Sequence, residues 1–598
     1  MRRIVVSIPS LVVTFCGCSW PMLAFAGAPD AWPLGHHDFR PSPQRPVGWR
    51  GDGTGVFPGA TPPAEFDGVT GKNLAWKTPL PNYGNGSPIV VGKQAFVVCE
   101  AGWPEAQDCA QLLCFDADTG QELWRREIDE FAAMPPAQAK EAGEIRKEFY
   151  RRYRRLNTIM FEWESANAAK KADLLKEAQT LGKVSQSQLD GQQWGNSNGT
   201  GNSSENAIYK DAIFSEKLKE VCGYMQYGYT PLSGNTLTPI SDGQRVFVWT
   251  SKRSVHAFDL TGSILWQNAL PAESVPKGRG LAGWSSDCDQ FNSPLIVDGK
   301  LVMHIYQHLW AYDLSTGKLA WKTPQSITHT HGVGTPTILR LKVPGAAGKT
   351  DAFALLWTGD LVRIRDGKML QKSVVFPAYG STTTDGADIL FVTPDSFFGG
   401  SQELQIDNGV KNGKIVETRA LRFAYEGPET VVWKDVWKIP DLKIYAYPVF
   451  HEGRIYTCNG AILDSQTGKL LQDQSKNNYV LPKNEPHGFI MAGEYSYCIP
   501  REKSRNIGVV CDVKKKDQSF RSKVEMLEED PKDPLKRAQR VAMAGWLVIR
   551  EWDSWHTPYN HPFPAGNRLY IRTFDHLYCF GGKSQAVVPS KKIEENKP

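Results

Sequence analysis

The sequence predicts an all-β chain folded as an eight-bladed β-propeller, with a helical insertion after the first blade. Three observations predict it. A phrase of fixed spacing, "AYDLSTGKLAW" at 311–321, recurs as "CFDADTGQELW" at 114–124 and, one residue shorter, as "AFDLTGSILW" at 257–266. A further copy, "ILDSQTGKLLQ" at 462–472, keeps Asp464 and Thr467-Gly468 but has Gln472 where tryptophan is expected. Clear copies follow a second phrase in which apolar residues alternate around a turn, as in "NGSPIVVGKQAFVVC" (85–99), "FNSPLIVDGKLVMHI" (291–305) and "AYPVFHEGRIYTC" (446–458), the pattern of antiparallel hairpins. Composition agrees, because 19 Trp and 54 Gly in 598 residues favour short strands and tight turns over long helices.

The first element is a leader. Arg2 and Arg3 precede an apolar stretch that ends in Ala24-Phe25-Ala26, the small residues a signal peptidase requires. Residues 1–26 are therefore expected to be removed on export, to the periplasm or the outside. Cys18, behind Gly17, offers a lesser lipoprotein alternative, weakened by Phe15. No later segment reaches the ~20 apolar residues that span a bilayer, so the mature chain is not expected to cross a membrane. A formal net charge of +5 is small for this length and gives no reason to expect a nucleic-acid partner. A monomer is expected.

Residues 27–71 read as a lead-in, 72–583 as the propeller and 584–598 as a polar tail. Blade openings fall near Pro88, Pro239, Pro294, Pro336, Thr384, Pro448, Phe489 and Pro562, which counts eight; irregularity in the fifth and seventh units leaves seven open. "RIRDGKMLQ" (363–371) and "ALRFAYEGPETVVW" (420–433) read as decayed or extended copies of the phrase. The last unit supplies three strands. Its fourth is expected from "KNLAWKTPL" (72–80), whose "AWKT" repeats at 320–323 and would close the ring. The stretch 129–230 is the insertion: Ile145, Phe149, Tyr153, Leu156, Met160 and Trp163 recur at helical spacing, and a polar run at 191–206 follows. The arginines of "RRYRR" (151–155) fit a solvated helix face better than an anionic partner. Cys99, Cys109 and Cys114, and Cys498 with Cys511, are close enough in sequence to be disulfide candidates; buried thiols are the equal alternative.

The recurring unit has a sufficient structural task. A tryptophan on each outer strand can lie flat on the neighbouring blade and bury on the order of 200 Å², while Asp and Thr hold the preceding turn through local hydrogen bonds. Asp116, Gly120 and Trp124, Asp259 and Trp266, and Asp313, Gly317 and Trp321 are accordingly docking residues. This Ala-x-Asp-x-x-Thr-Gly-x-x-x-Trp unit resembles the tryptophan-docking motif of PQQ-like β-propeller repeats, and "GWRGDGTGVFPG" (48–59) is similar to the lead-in of exported bacterial members of that group.

Two function classes follow from the resemblance. One is a binding or scaffolding module for a protein or small ligand, since the group includes non-enzymatic propellers that hold other proteins. The alternative is a quinone- or metal-dependent oxidoreductase or hydrolase with its site at the central channel mouth. The residues favour the module. The sequence has no Cys-Cys pair and no Cys-x-x-Cys-His, the disulfide and haem attachment that the resemblance would bring with PQQ, and Gln121 stands where a calcium loop at 116–120 would need glycine. PQQ or a divalent metal therefore remains an unsupported cofactor. The segments that open each blade collect His329, His331, His487, His556 and His561, with Asp287 and Asp289. Imidazole and carboxylate converging on one channel mouth would suit a transition metal or a polar ligand.

Overall fold

The computed structural model describes residues 32–190, 238–324, 335–372, 382–525 and 561–582, with breaks at 69, 83, 85, 100–107, 130, 251–253, 270–292, 306–307, 357–358, 393–416, 441–446, 458–460, 473–488, 499–500, 503–504, 513–519 and 573–575. The leader 1–26, the tail 584–598 and the polar run 191–206 lie outside the described residues.

Eight antiparallel sheets follow one another in chain order. Blades 1 to 6 span Ile89–Ile128, Ile240–Ala269, Leu295–Lys322, Thr337–Gln371, Thr382–Pro440 and Val449–Gln472, each with four strands. Blade 7, Ile490–Glu525, is enlarged to six strands, because Val56–Phe57 adds in parallel to its first strand at Met491–Ala492 and the short strand Arg501–Glu502 pairs with Arg505–Asn506. Blade 8 takes three strands from Phe563–Phe580 and its fourth from Leu74–Pro79, with Trp76 opposite Cys579. Strands from both ends of the chain thus share one sheet, which gives blade 8 its outer strand. First strands such as Ile89–Val91 and Leu295–Val297 are buried throughout, whereas fourth strands such as Leu319–Lys322 are half exposed. That gradient is why the inner strands read as continuous apolar runs.

The seams use the recurring phrase. Trp76, Trp124, Trp266, Trp321 and Trp437 each lie on a glycine of the next blade: Gly120, Gly262, Gly317, Gly367 and Gly468. A Cβ on any of these glycines would come within 2.5–2.9 Å of the indole. Gly317 shows why only glycine serves, since its φ of +66° is a backbone state that side-chain-bearing residues avoid. Four indoles also donate to the carbonyl that follows the motif aspartate or its equivalent: Trp76 to Ala117 (3.2 Å), Trp124 to Leu260 (3.1 Å), Trp266 to Leu314 (3.0 Å) and Trp437 to Ser465 (2.9 Å). The aspartates stay inside their own turns. Asp313 accepts from the backbone N–H groups of Ser315 (3.0 Å) and Thr316 (2.8 Å) and from both hydroxyls.

Several expectations are corrected in detail. The extended copy at 420–433 ends on the wrong tryptophan. Trp433 is exposed, and the docking residue of blade 5 is Trp437, four residues further along an eleven-residue strand. Among its described residues the helical insertion forms three helices: α1 (Pro136–Ser165), α2 (Ala168–Leu181) and α3 (Gln186–Leu189). The break at 166–167 exists because Asn167 caps α2, its side chain accepting from Lys170 N–H at 2.9 Å. Ile145, Phe149, Leu156 and Trp163 form the buried face as their spacing requires. The arginines of 151–155 are paired within the protein: Arg151 and Arg152 with Glu148, Arg154 with Asp108, Arg155 with Glu162 and Glu177. Cys99 and Cys114 are buried thiols rather than disulfide partners; burial pushes the Cys114 thiol up to about 12. The backbone aligns Cys498 with Val509 and Cys511 with Ser496, and their side chains lie outside the described residues.

Candidate functional site

The channel mouth is built by the lead-in rather than by the repeats. Residues 32–62 run along the inner strands and fold a tight turn there, in which Gly48 N–H bonds to Gly51 O (2.6 Å) and Gly51 N–H to Gly48 O (3.1 Å). Before the turn, Val47 exchanges two backbone hydrogen bonds with Ser241 of blade 2 (2.9 and 2.8 Å). After it, Met491 of blade 7 donates to Gly55 O (2.8 Å), and the bonds of Gly566 N–H to Gly35 O and of Thr61 N–H to Gly566 O tie the segment to the first hairpin of blade 8. Tyr497 of blade 7 holds Pro62 O at 3.0 Å.

The turn presents Trp49 and Arg50, both buried. The Arg50 guanidinium lies 5.3 Å from the Trp49 ring and 5.6 Å from the Tyr447 ring, and donates to Pro448 O and Phe489 O at 3.3 Å. Trp49 meets Tyr447 edge-on at 4.6 Å and His561 at 5.9 Å. Beside this group is a cavity of about 300 Å³, walled by Trp49, Arg50 and Tyr447 on one side and by Thr335, Thr337 and Thr382 on the other.

The blade openings are laced together by hydroxyls. His561 N–H donates to Ser87 Oγ (2.7 Å), Ser87 N–H to Thr238 Oγ1 (3.0 Å), and Ser293 N–H to Thr335 Oγ1 (2.9 Å). Each of these residues stands directly before the proline that opens a blade, so the Ser-Pro, Thr-Pro and His-Pro pairs carry a structural signal of their own.

The inner turn and the outer seams now bear on kinship. A family model of PQQ-like repeats, described as that of the outer membrane protein assembly factor BamB, matches residues 182–386. That stretch is about a third of the chain, and the eight-bladed ring is consistent with a PQQ-like β-propeller repeat protein. Among solved structures, BamB from Moraxella catarrhalis aligns over 58% of this chain and 82% of its own, at 10% identity and a TM-score of 0.34. The computationally designed Ika8 protein aligns over 57% of this chain and 93% of its own, at 12% identity and a TM-score of 0.29. No curated protein matches the chain.

Of the histidines and acids read as a channel-mouth cluster in this propeller, His561 alone is among the described residues. His329, His331, His487, His556, Asp287 and Asp289 lie outside them. His561 is 3% exposed and neither ring nitrogen has a hydrogen-bond partner. Burial, reinforced by the Arg50 charge, holds its pKa well below the usual value, so the ring is neutral. The same guanidinium disfavours a second cation beside it, which makes the described part of the mouth better suited to an anionic or neutral polar group than to a metal ion. Burial likewise pushes the Tyr447 phenol up to about 12 and keeps it a donor.

Two groups of contributors escaped sequence reasoning. Trp49 and Arg50 belong to no repeat, their signal being the lead-in phrase "GWRGDGTG", and Tyr447 stands before Pro448 in the blade-opening phrase, where nothing marked it as a partner of the lead-in. Gln94, Arg245 and Arg568, each first in its blade's second or corresponding strand, reach the carbonyls that also accept the docking indoles (3.0, 2.7 and 2.8 Å). A long polar residue directly after a hairpin turn would have flagged them.

Proposed function

We propose that this exported propeller is a protein-binding scaffold whose partner contacts lie on the outer rim. The observation that carries the reading is a repeated apolar exposure. In four copies of the docking phrase one or both of the two residues before the Trp or Gln position stand out to solvent: Leu123 (47%), Ile264 (51%), Leu265 (49%), Leu319 (45%), Leu470 (39%) and Leu471 (46%). Scattered exposed leucines are ordinary, but large apolar residues exposed at one or both of these two positions on four blades make a patterned surface of the kind that marks protein contact sites. The family description, an assembly factor at the outer membrane, supports a partner that is itself a protein of the cell envelope.

The test is site-specific photocrosslinking in the producing cell, with the reactive residue at 265 or 471. The reading expects discrete adducts that disappear when the other rim leucine carries a charge, as in Leu471→Lys or Leu265→Lys. Absence of adducts from every rim position, with a probe at 340 beside the cavity labelling instead, contradicts it.

A second reading keeps an enzyme at the channel mouth. The cavity beside Trp49, Arg50 and Tyr447 favours it, because a buried guanidinium between aromatic rings can hold a carboxylate-bearing ligand or quinone cofactor. A quinone absorption band in the purified protein that is lost in Arg50→Gln would raise this reading above the first.

A further inference from the structure

We propose that His36, His37 and Asp38 form a binding site for a divalent transition-metal cation such as Zn²⁺, held by two imidazole nitrogens and one carboxylate oxygen. The proposal is independent of the scaffold reading and of the channel-mouth histidines. It rests on four observations.

The first is proximity. One donor atom from each residue lies within 4.8 Å of the others. His37 Nε2 is 2.9 Å from Asp38 Oδ2, and His36 Nδ1 is 3.9 Å from the same oxygen. Imidazole and carboxylate ligands sit about 2.0–2.2 Å from Zn²⁺, so the three donors need only close by side-chain rotation. Two histidines with a carboxylate is a donor set that suits Zn²⁺, Ni²⁺ or Cu²⁺.

The second is a fixed frame. His36 N–H bonds to Pro33 O (3.0 Å), Phe39 N–H to His36 O (2.9 Å), and Gly59 N–H to Leu34 O (2.9 Å). The flanking Leu34 and Phe39 are buried. Gly59 and Gly566 allow the loop to press down: a Cβ at Gly59 would stand 2.8 Å from His36 Cβ, and one at Gly566 would stand 3.1 Å from His37 Cβ. Adjacent ligands on a pinned backbone lose little freedom on binding.

The third is charge. The ion pairs of Asp38 are with these two histidines, and the nearby Arg40 bonds instead to the carbonyls of His37 and Phe39 (3.0 and 2.9 Å). No lysine or arginine is paired with that carboxylate among the described residues. The fourth is access, since His37 and Asp38 are exposed at 42% and 45% of their side chains. An ion can enter from solvent and keep water in its remaining position. Binding replaces the hydrogen now shared between His37 and Asp38, and gives up the 3.1 Å bond from Asp38 N–H to His36 Nδ1.

Trp32 supplies a reporter, because its ring stacks on His36 at 4.1 Å with the planes 5° apart. Calorimetric titration of the full mature chain with Zn²⁺ should show one tight equivalent that is lost in His36→Ala/His37→Ala and weakened at least about tenfold in Asp38→Asn. Co²⁺ should give the visible bands of a four-coordinate N/O site, and Cu²⁺ should quench a tryptophan signal that Trp32→Phe removes. The residues are in a surface loop, and unchanged circular dichroism in each variant checks that the chain is folded. Full retention of the Zn²⁺ equivalent in the double-alanine variant, or no equivalent in the wild-type chain, overturns the proposal.

Discussion

The seam between blades 2 and 3 and the seam between blades 3 and 4 place the same residue against the same neighbour, yet they differ in how they are bonded. At the first, Trp266 covers Gly317, its indole donates to Leu314 O (3.0 Å), Arg245 donates to that carbonyl too (2.7 Å), and Asn268 bonds to Gly317 O. At the second, Trp321 covers Gly367 in the same way, but its indole N–H has no partner. Thr323, two residues on, is turned inward and accepts from Leu309 N–H (2.9 Å) instead of reaching blade 4. Blade 4 also has Arg363 where the other copies have the motif aspartate, and its guanidinium is paired with Asp366 and with Tyr425 of blade 5. The constant of the seam is the flat apolar contact of indole on glycine. The hydrogen bonds are an addition that three seams carry in multiple form and one lacks.

The largest way to break this comparison is to spoil the contact itself. Gly317→Ala should cost about 3 kcal/mol or more, since it combines overpacking against Trp266 with a positive-φ penalty. Urea titration followed by circular dichroism measures it. Gly367→Ala should cost a similar amount despite the poorer bonding of that seam, and a much smaller loss there would show that hydrogen bonds, not the stacked face, set the strength.

The seam from blade 8 to blade 1 sharpens the point. Trp76, Arg568 and Tyr570 all donate to Ala117 O (3.2, 2.8 and 3.0 Å), and Arg568 also pairs with Asp118. This junction joins the two ends of the chain, and it is the most heavily bonded. Arg568→Ala should cost about 1–3 kcal/mol, measured as a drop in the urea midpoint, because it removes a buried charge-assisted bond while the carbonyl keeps two donors.

Acid should act weakly and on the turns. Hydrogen bonds from Ser315 and Thr316 hold the Asp313 carboxyl at about 2, below its ordinary value. A carboxylate depressed in the folded state stabilises above the unfolded value near pH 4, and that contribution is lost as pH falls towards 2. Asp313→Asn should therefore lower stability slightly at neutral pH, flatten the profile between about pH 4 and pH 2, and match the wild-type chain near pH 2. Thermal melts across that range read the difference.

How much of this was legible follows from where the signals repeat. Asp313, Thr316, Gly317 and Trp321 could be read because a turn that needs all four residue types recurs at one spacing. The closing strand at 74–79 was legible because "AWKT" is shared with blade 3. Trp437 was hidden by the long hairpin of blade 5, where Gly427 and Pro428 replace the Asp-x-x-Thr-Gly turn and the strand overruns the expected position. Trp49, Arg50 and Tyr447 were hidden for the opposite reason. They meet through tertiary packing between the lead-in and blade 6: Trp49 and Arg50 recur nowhere and give no period to read, and Tyr447 fills the position before a blade-opening proline that other blades give to Ser or Thr. His561 was named for its type, but its bare ring nitrogens and its Arg50 neighbour could only come from three dimensions.

The most direct measurement is the pair Trp266→Phe and Trp321→Phe, compared by urea unfolding under one set of conditions. Both retain an aromatic face on glycine and lose the indole N–H together with part of the ring, a packing loss that the two positions share. Trp266→Phe should cost about 1 kcal/mol more than Trp321→Phe, because it also gives up the bond to Leu314 O, whereas Trp321→Phe removes a buried donor without an acceptor. Equal losses at the two positions would contradict it.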